Sequence, residues 1–444
     1  ADVAVEGERI AAIVTPEEGA HAAETAGAVV TADGLLVLPG VIDVHTHTRL
    51  ATDERPDRFY QDSLAAAYGG TTTFLTFNTT ATRAEAPPSL TEGIRRWKAA
   101  TDHDSAIDYG LSPVIDGTLD DPVAELPGMV DQGIPTAKAF MVYDFRLADA
   151  KLFEAMRTMA VAGGMLQVHC EDPVIVDAAV ADALHRGNTS PRYHATTRPR
   201  LAEAIATARA MAFAEAADAP VYVVHLSSEG ALEAVRSAKA RGVRACAETC
   251  PHYLTYTDDR YANPDDAEVA KVVISPPLRT ANDRSALWTG LADGSLALVG
   301  TDHVPDRAAV EKRIDGVSFD QISNGAPGIE TLLSVVWSEG VGRNRITPER
   351  LVDVLATTPA RLFGLARKGS IEVGKDADLV LFDPNVKRAI RASDLHHTSD
   401  YTPYEGLEVQ GAVRSVFVRG RPVIRDRAFV GQRGYGRFAE RRLA

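Results

Sequence analysis

The sequence predicts an α/β protein: a (β/α)8 TIM barrel carrying a small β-sandwich built from both chain ends. Two observations carry this reading. Eight short β-like runs recur through the middle of the chain between Ala-rich helical stretches, and the two flanks read instead as strands joined by Gly turns. The eight runs are residues 41–45, 71–77, 109–114, 136–141, 165–170, 221–226, 243–248 and 296–301. Most are almost wholly apolar rather than alternating, as parallel strands covered on both faces must be. Residues 63–68, 150–161, 200–217 and 231–240 read as helices among them. Strand–helix alternation repeated to this extent is the pattern of a closed barrel.

The flanks supply the second unit. Residues 2–13 read as a strand, a Gly turn and a strand; after a helix over 347–365, residues 369–383 read as two strands around Gly374-Lys375-Asp376. Further β follows at 413–418 and 421–424, joined by Arg419-Gly420. The expected organisation is an N-terminal sandwich segment over 1–38, the barrel over 39–367, a C-terminal sandwich segment over 368–427, and an arm over 428–444 whose basic end is peripheral. The chain opens inside a strand without Met, so a few native residues are expected to precede Ala1.

Composition narrows the function. The 444 residues are 45% apolar and 24% charged, with a formal net charge of −14, which argues against nucleic acid as a partner. No run of apolar residues is long enough for a membrane span, and the acidic start does not read as a signal peptide. Three cysteines without framework spacing, Cys170, Cys246 and Cys250, suggest free thiols and a cytoplasmic protein.

The chemistry sits at strand ends. His45 and His47 close the first run at a spacing that points both imidazoles to one face. Such a pair also arises by chance, but His169 closes the fifth run, His225 the sixth and Asp302 the eighth. In a parallel barrel the C-terminal strand ends converge, so these five side chains are expected around one site. Lys138 stands among apolar residues of the fourth run. Burial there would depress its pKa and free a neutral amine able to add carbon dioxide, giving an anionic carbamate; the alternative is a buried stem with the head in water. Glu248 and His252, beside the seventh run, are expected to support the site, and His303 to point off it. His21, His103, His185, His396 and His397 read as surface residues, and Glu311-Lys312-Arg313 as a solvated charge run.

The set His45, His47, Lys138, His169, His225 and Asp302 resembles that of the amidohydrolase superfamily. The context resembles its cyclic amidase branch of dihydropyrimidinases, hydantoinases and allantoinases. The matching stretches are PGVIDVHTH at 39–47, GGTTT at 69–73, VHCED at 168–172, ETCPHYL at 248–254, SPPLR at 275–279, GTDH at 300–303, NGAPGIE at 324–330 and YEG at 404–406. The resemblance implies two divalent ions, zinc by default with manganese or cobalt as alternatives. His45, His47, carbamylated Lys138 and Asp302 would hold one; Lys138, His169 and His225 would hold the other, with a hydroxide bridging them. It implies Asp302 as the proton carrier, Tyr143 as donor to the oxyanion, and main-chain groups of Ser275 and Asn324 as partners of the substrate ring. Read alone, Tyr143 could be a loop tyrosine and Asn324 a turn residue. The implied reaction opens 5-substituted hydantoins or dihydropyrimidines to N-carbamoyl amino acids. Allantoinase or another cyclic imidase is the alternative, and a non-catalytic interaction protein a remote one, since all six ligands are kept. The implied partners are a small cyclic ureide or imide and further copies of the chain in a homotetramer, with residues 401–444 at the contacts.

The chain departs from the branch after His47. The usual apolar, Gly-rich continuation is replaced by Thr48-Arg49-Leu50-Ala51-Thr52-Asp53-Glu54-Arg55-Pro56-Asp57. Arg49 or Arg55 is expected either to meet a polar ring substituent or to face water. The loop 144–147 is expected as a second wall, and Phe59, Tyr60 and Phe145 as apolar contacts.

Overall fold

The first barrel strand, Val41–Thr46, is buried along its whole length, its polar Asp43, His45 and Thr46 included. In the computed structural model, which describes residues 1–77 and 88–443, it begins a ring of eight parallel strands. Thr71–Thr76 and Asp108–Leu111 pair beside it in one sheet, and Thr136–Phe140, Met165–His169, Val221–Val223, Ala245–Thr249 and Leu298–Val299 form a second. Parallel bridges Val114–Lys138 and Thr46–His303 close the two sheets into a barrel. Helices of the expected segments follow the strands: Arg58–Tyr68, Asp149–Val161, Arg200–Ala216 and Glu229–Ala240. The expected helix over 347–365 is broken into Pro348–Val352 and Thr358–Leu362 by a π-helical turn, Asp353–Thr357.

Strand alternation sorts the core into layers. Ala137, Ala139, Leu166, Val168, Val221 and Val223 lie in the layer under the helices, while Phe140, Met165, Tyr222 and Val224 fill the barrel interior. Lys138 therefore shares its direction with Phe140 and points inward. The sixth and eighth strands are shorter than the sequence suggests. His225 and Asp302 adopt positive φ, 38° and 51°, so the backbone leaves the extended region just where these side chains enter the site.

Both chain ends build β structure against the barrel. Leu36–Pro39 pairs antiparallel with Leu379–Ala389, followed by Glu408–Val418, Arg421–Arg425 and Ala428–Phe429 in one five-stranded sheet. Asp2–Glu6 and Arg9–Val14 form a hairpin packed on it through Ile10, Ala377 and Leu379. One expected strand is absent: residues 369–375 do not pair with Leu379–Ala389. Instead Ile10 and Gly374–Lys375 exchange main-chain hydrogen bonds of 3.0 and 2.8 Å, so the segment's backbone groups are satisfied by the N-terminal hairpin.

The expected peripheral arm is also corrected. Ala439 N–H donates to Tyr109 O at 2.7 Å, Arg441 N–H donates to Gly133 O at 2.9 Å, and Ala439 and Leu443 pack on the barrel interior. The Arg441 side chain is 1% exposed and bonds Thr136 Oγ1 and the carbonyl of Leu111. Guanidinium donors satisfy a strand carbonyl and a strand hydroxyl inside the protein, which is why this basic tail is bound against the barrel. Ala444 lies outside the described residues. Among the described residues no helix is long and apolar enough to cross a membrane.

Candidate metal centre

His45 is fully buried at the end of the first strand, and its Nδ1 is held by Glu248 from the seventh. A proton on Nδ1 meets that carboxylate, and Nε2 is turned toward Asp302 and Lys138. Asp302 Oδ1 lies 2.8 Å from His45 Nε2 and 3.2 Å from His47 Nε2. The three ligand atoms fall within 4.8 Å of one another, the spread expected around a single cation with bonds of about 2 Å. Lys138 Nζ is 3.4 Å from His45 Nε2 and sits 4.2 Å over the Phe77 ring. A second pair adjoins: His169 Nδ1 faces His225 Nε2 at 2.9 Å, and the rings of His45 and His225 are 5.2 Å apart. All six residues singled out from the sequence thus line one pocket at the C-terminal ends of five strands. Their donor set, four imidazoles, a carboxylate and an amine that can become one, suits two divalent cations.

Electrostatics fit the same picture. Burial draws the Lys138 pKa down to about 8, with no carboxylate in ion-pair contact among the described residues. An appreciable fraction is then neutral amine near physiological pH. Burial likewise lowers His47 to about 4 and leaves its imidazole a lone-pair donor. Burial would raise Asp302, but the His45 and His47 imidazoles outweigh it and hold the carboxyl well below its ordinary range.

The sequence did not single out the buried network behind His169. Glu171 accepts from His169 Nε2 at 2.8 Å and from Arg198 Nη1 at 2.7 Å. Burial would raise the Glu171 pKa, yet Arg198 and His169 hold it at about 2. Arg198 also lies 5.2 Å over the Tyr143 ring. The signal available was VHCED itself: a carboxylate two residues past His169 points to the same face.

Tyr143 sits beside the pair, its ring 5.6 Å from His169 at a backbone φ of 77°. Burial raises its phenol pKa against the pull of Arg198 and Ser275. Ser275 and Asn324 lie on neighbouring segments, joined where Gly325 N–H donates to Val273 O at 3.1 Å. His194, unremarked in the sequence, is buried under Ser275 and donates to Ile274 O at 2.7 Å.

Several expectations are corrected. Arg49 bonds Asp306 and, at 3.2 Å, Glu311, so it is committed to protein carboxylates. Arg55 donates to Thr398 O at 3.0 Å. Phe59 packs in the layer under the helices with Phe74 and Tyr109, and Tyr60 against Phe429; Phe145 alone of the three joins the site, stacked on Tyr143. His397 is buried beside His303, and Lys312 is buried rather than solvated. His303 turns off the site as expected, accepting from Gly328 N–H at 3.1 Å.

The comparisons with known proteins complete the picture. Residues 36–423 match the amidohydrolase family. The chain belongs to that family. It is 37% identical to a D-hydantoinase of Streptomyces coelicolor over 99% of this chain and 94% of the relative, and 38% identical to one of Geobacillus stearothermophilus over 99% and 93%. The solved dihydropyrimidinase of Brevibacillus agri superposes with a TM-score of 0.93 at 38% identity, covering 100% of this chain and 95% of the other. Such proteins share the (β/α)8 fold described above, and with it a site at the strand ends.

Glu248 offers a prediction for this amidohydrolase. Besides His45 it accepts from Tyr222 Oη at 2.8 Å and from the His225 main chain at 3.3 Å, so one carboxylate orients two candidate ligands. Glu248→Gln must turn an amide N–H toward one of those donors. Its zinc affinity is expected to fall about 10–100-fold in a competition titration with a chromophoric chelator. Unchanged affinity would remove Glu248 from this role.

Proposed function

We propose that this enzyme opens cyclic ureides, 5-substituted hydantoins and dihydropyrimidines, to N-carbamoyl amino acids. The observation that carries the reading is the convergence of His45, His47, Lys138, His169, His225 and Asp302 in one pocket of a chain with these relatives. His45, His47 and Asp302 would hold one cation and His169 and His225 the other, with Lys138, as its carbamate, supplying a shared anionic ligand. Zinc is the default for such imidazole-rich sites. The ions supply the Lewis acidity that makes water a nucleophile near neutral pH. Asp302 takes the proton of the attacking water and delivers it to the leaving ring nitrogen. Tyr143, kept protonated by its burial, donates its hydroxyl hydrogen to the developing oxyanion. Main-chain groups of Ser275 and Asn324 grip the ring amide, and Phe145 borders the space for its substituent. We further place the enzyme in the cytoplasm, on its free cysteines, and expect a homotetramer.

The test is turnover of a panel by the zinc-loaded enzyme, read as loss of ultraviolet absorbance. Dihydrouracil and a racemic 5-monosubstituted hydantoin should be turned over, and a chelator should abolish the reaction. Faster turnover of allantoin or succinimide would move the assignment within cyclic amidases. No turnover of any cyclic ureide or imide, or under one ion per chain after zinc loading, would end it.

A further inference from the structure

Lys312 is 3% exposed, in the loop that follows the eighth strand, and it lies outside the candidate metal centre. Its ammonium donates to Val273 O at 2.8 Å and to Ser323 O, and Asp306 Oδ2 stands 3.7 Å away. Two of its hydrogens are thus taken by main-chain carbonyls, and the Asp306 carboxylate stands at ion-pair distance. The two carbonyls belong to the segments that carry Ser275 and Asn324, each one or two residues from the main-chain groups assigned to the ring. The segments also meet directly, Gly325 N–H donating to the same Val273 carbonyl at 3.1 Å, and Ser323 N–H donates back to Glu311 O at 3.1 Å.

The other end of the arrangement reaches the loop after His47. Asp306 is fully buried, and the oxygen that Lys312 does not face is bonded by Arg49. Burial draws the Lys312 pKa down to about 8, opposed by Asp306, so the group is mostly protonated at neutral pH. A buried cation on two main-chain carbonyls is costly to keep for packing alone, since an apolar side chain fills the volume without desolvating a charge. What the ammonium adds is a fixed separation between two strands of chain.

We infer that Lys312 is a positioning residue for substrate binding: by holding the Val273 and Ser323 carbonyls together it sets the spacing at which the Ser275 and Asn324 main chains meet the substrate ring. This rests on the proposed roles of Ser275 and Asn324. It predicts that Lys312 governs KM and leaves the metal-centred chemistry largely alone.

The experiment compares the zinc-loaded wild type with Lys312→Met, which keeps length and loses the donors, and Lys312→Arg, which restores them. The expected result for Lys312→Met is a KM for a 5-substituted hydantoin raised about tenfold, one hydrogen bond's worth of ring binding. Its kcat should stay within about threefold and both metal ions should be retained. Lys312→Arg should recover some of the lost affinity. Asp306→Asn, a milder change that keeps the packing, should raise KM in the same direction and serves where Lys312→Met does not fold. Unchanged KM in the folded variants, or a fall in kcat at unchanged KM, overturns the inference while wild-type turnover leaves the site reading intact. Absence of wild-type turnover on every cyclic ureide sinks the site reading, and this inference with it.

Discussion

Lys138→Ala is expected to lose at least about a thousandfold in kcat/KM and to hold less than one metal ion per chain. The amine is fully buried, 3.4 Å from His45 Nε2, and faces two aromatic rings with no carboxylate in ion-pair contact among the described residues. A lysine left there as a cation would repel the very ions the imidazoles attract. As a carbamate it would supply negative charge to two neighbouring cations. Removing it discards several kcal/mol of charge stabilisation, and each ~1.4 kcal/mol is tenfold in rate. Metal content by mass spectrometry and steady-state turnover check this together. Short carboxylic acids such as acetate or propionate should restore some of both by occupying the vacated space. Turnover close to wild type in Lys138→Ala would exclude the bridging role.

Asp302→Asn is expected to lower kcat by about a thousandfold, within the range for removal of a positioned proton carrier. The carboxyl is held ionised by His45 and His47, and it approaches both at hydrogen-bond distance. An amide of the same shape cannot take up a proton, and its N–H would face imidazole lone pairs. The loss should therefore appear in kcat, with a smaller fall in occupancy of the ion nearest His47. Steady-state kinetics at saturating substrate, paired with metal analysis of the same sample, separate the two effects. A variant with full metal and kcat within tenfold of wild type would assign the proton to another group.

Much of the site was legible because barrel chemistry is written at strand ends. His45, His169, His225 and Asp302 each close an apolar run, and parallel strands of one ring must bring such ends together. Lys138 was legible by contrast, a charge inside an otherwise apolar strand. What failed was local inference about charged loops. Lys312 read as solvated beside Glu311 and Arg313, and Arg49 read as a residue facing substituent or water. Both are bound within the protein. The tail misled for the same reason: its arginines look like surface residues until the Leu111 carbonyl is in place to receive Arg441.

By itself the order of residues determined the alternation of strands and helices and the kinds of ligand offered at the strand tips. These follow from periodicities of about two and 3.6 residues and from apolar content, which are properties of neighbouring residues. Only the tertiary structure decided which charges are paired. Arg49 meets Asp306 257 positions away, and Arg441 meets Leu111 330 positions away. Partners so distant are set by closure of the barrel and by the desolvation that closure imposes, and no local pattern carries that information.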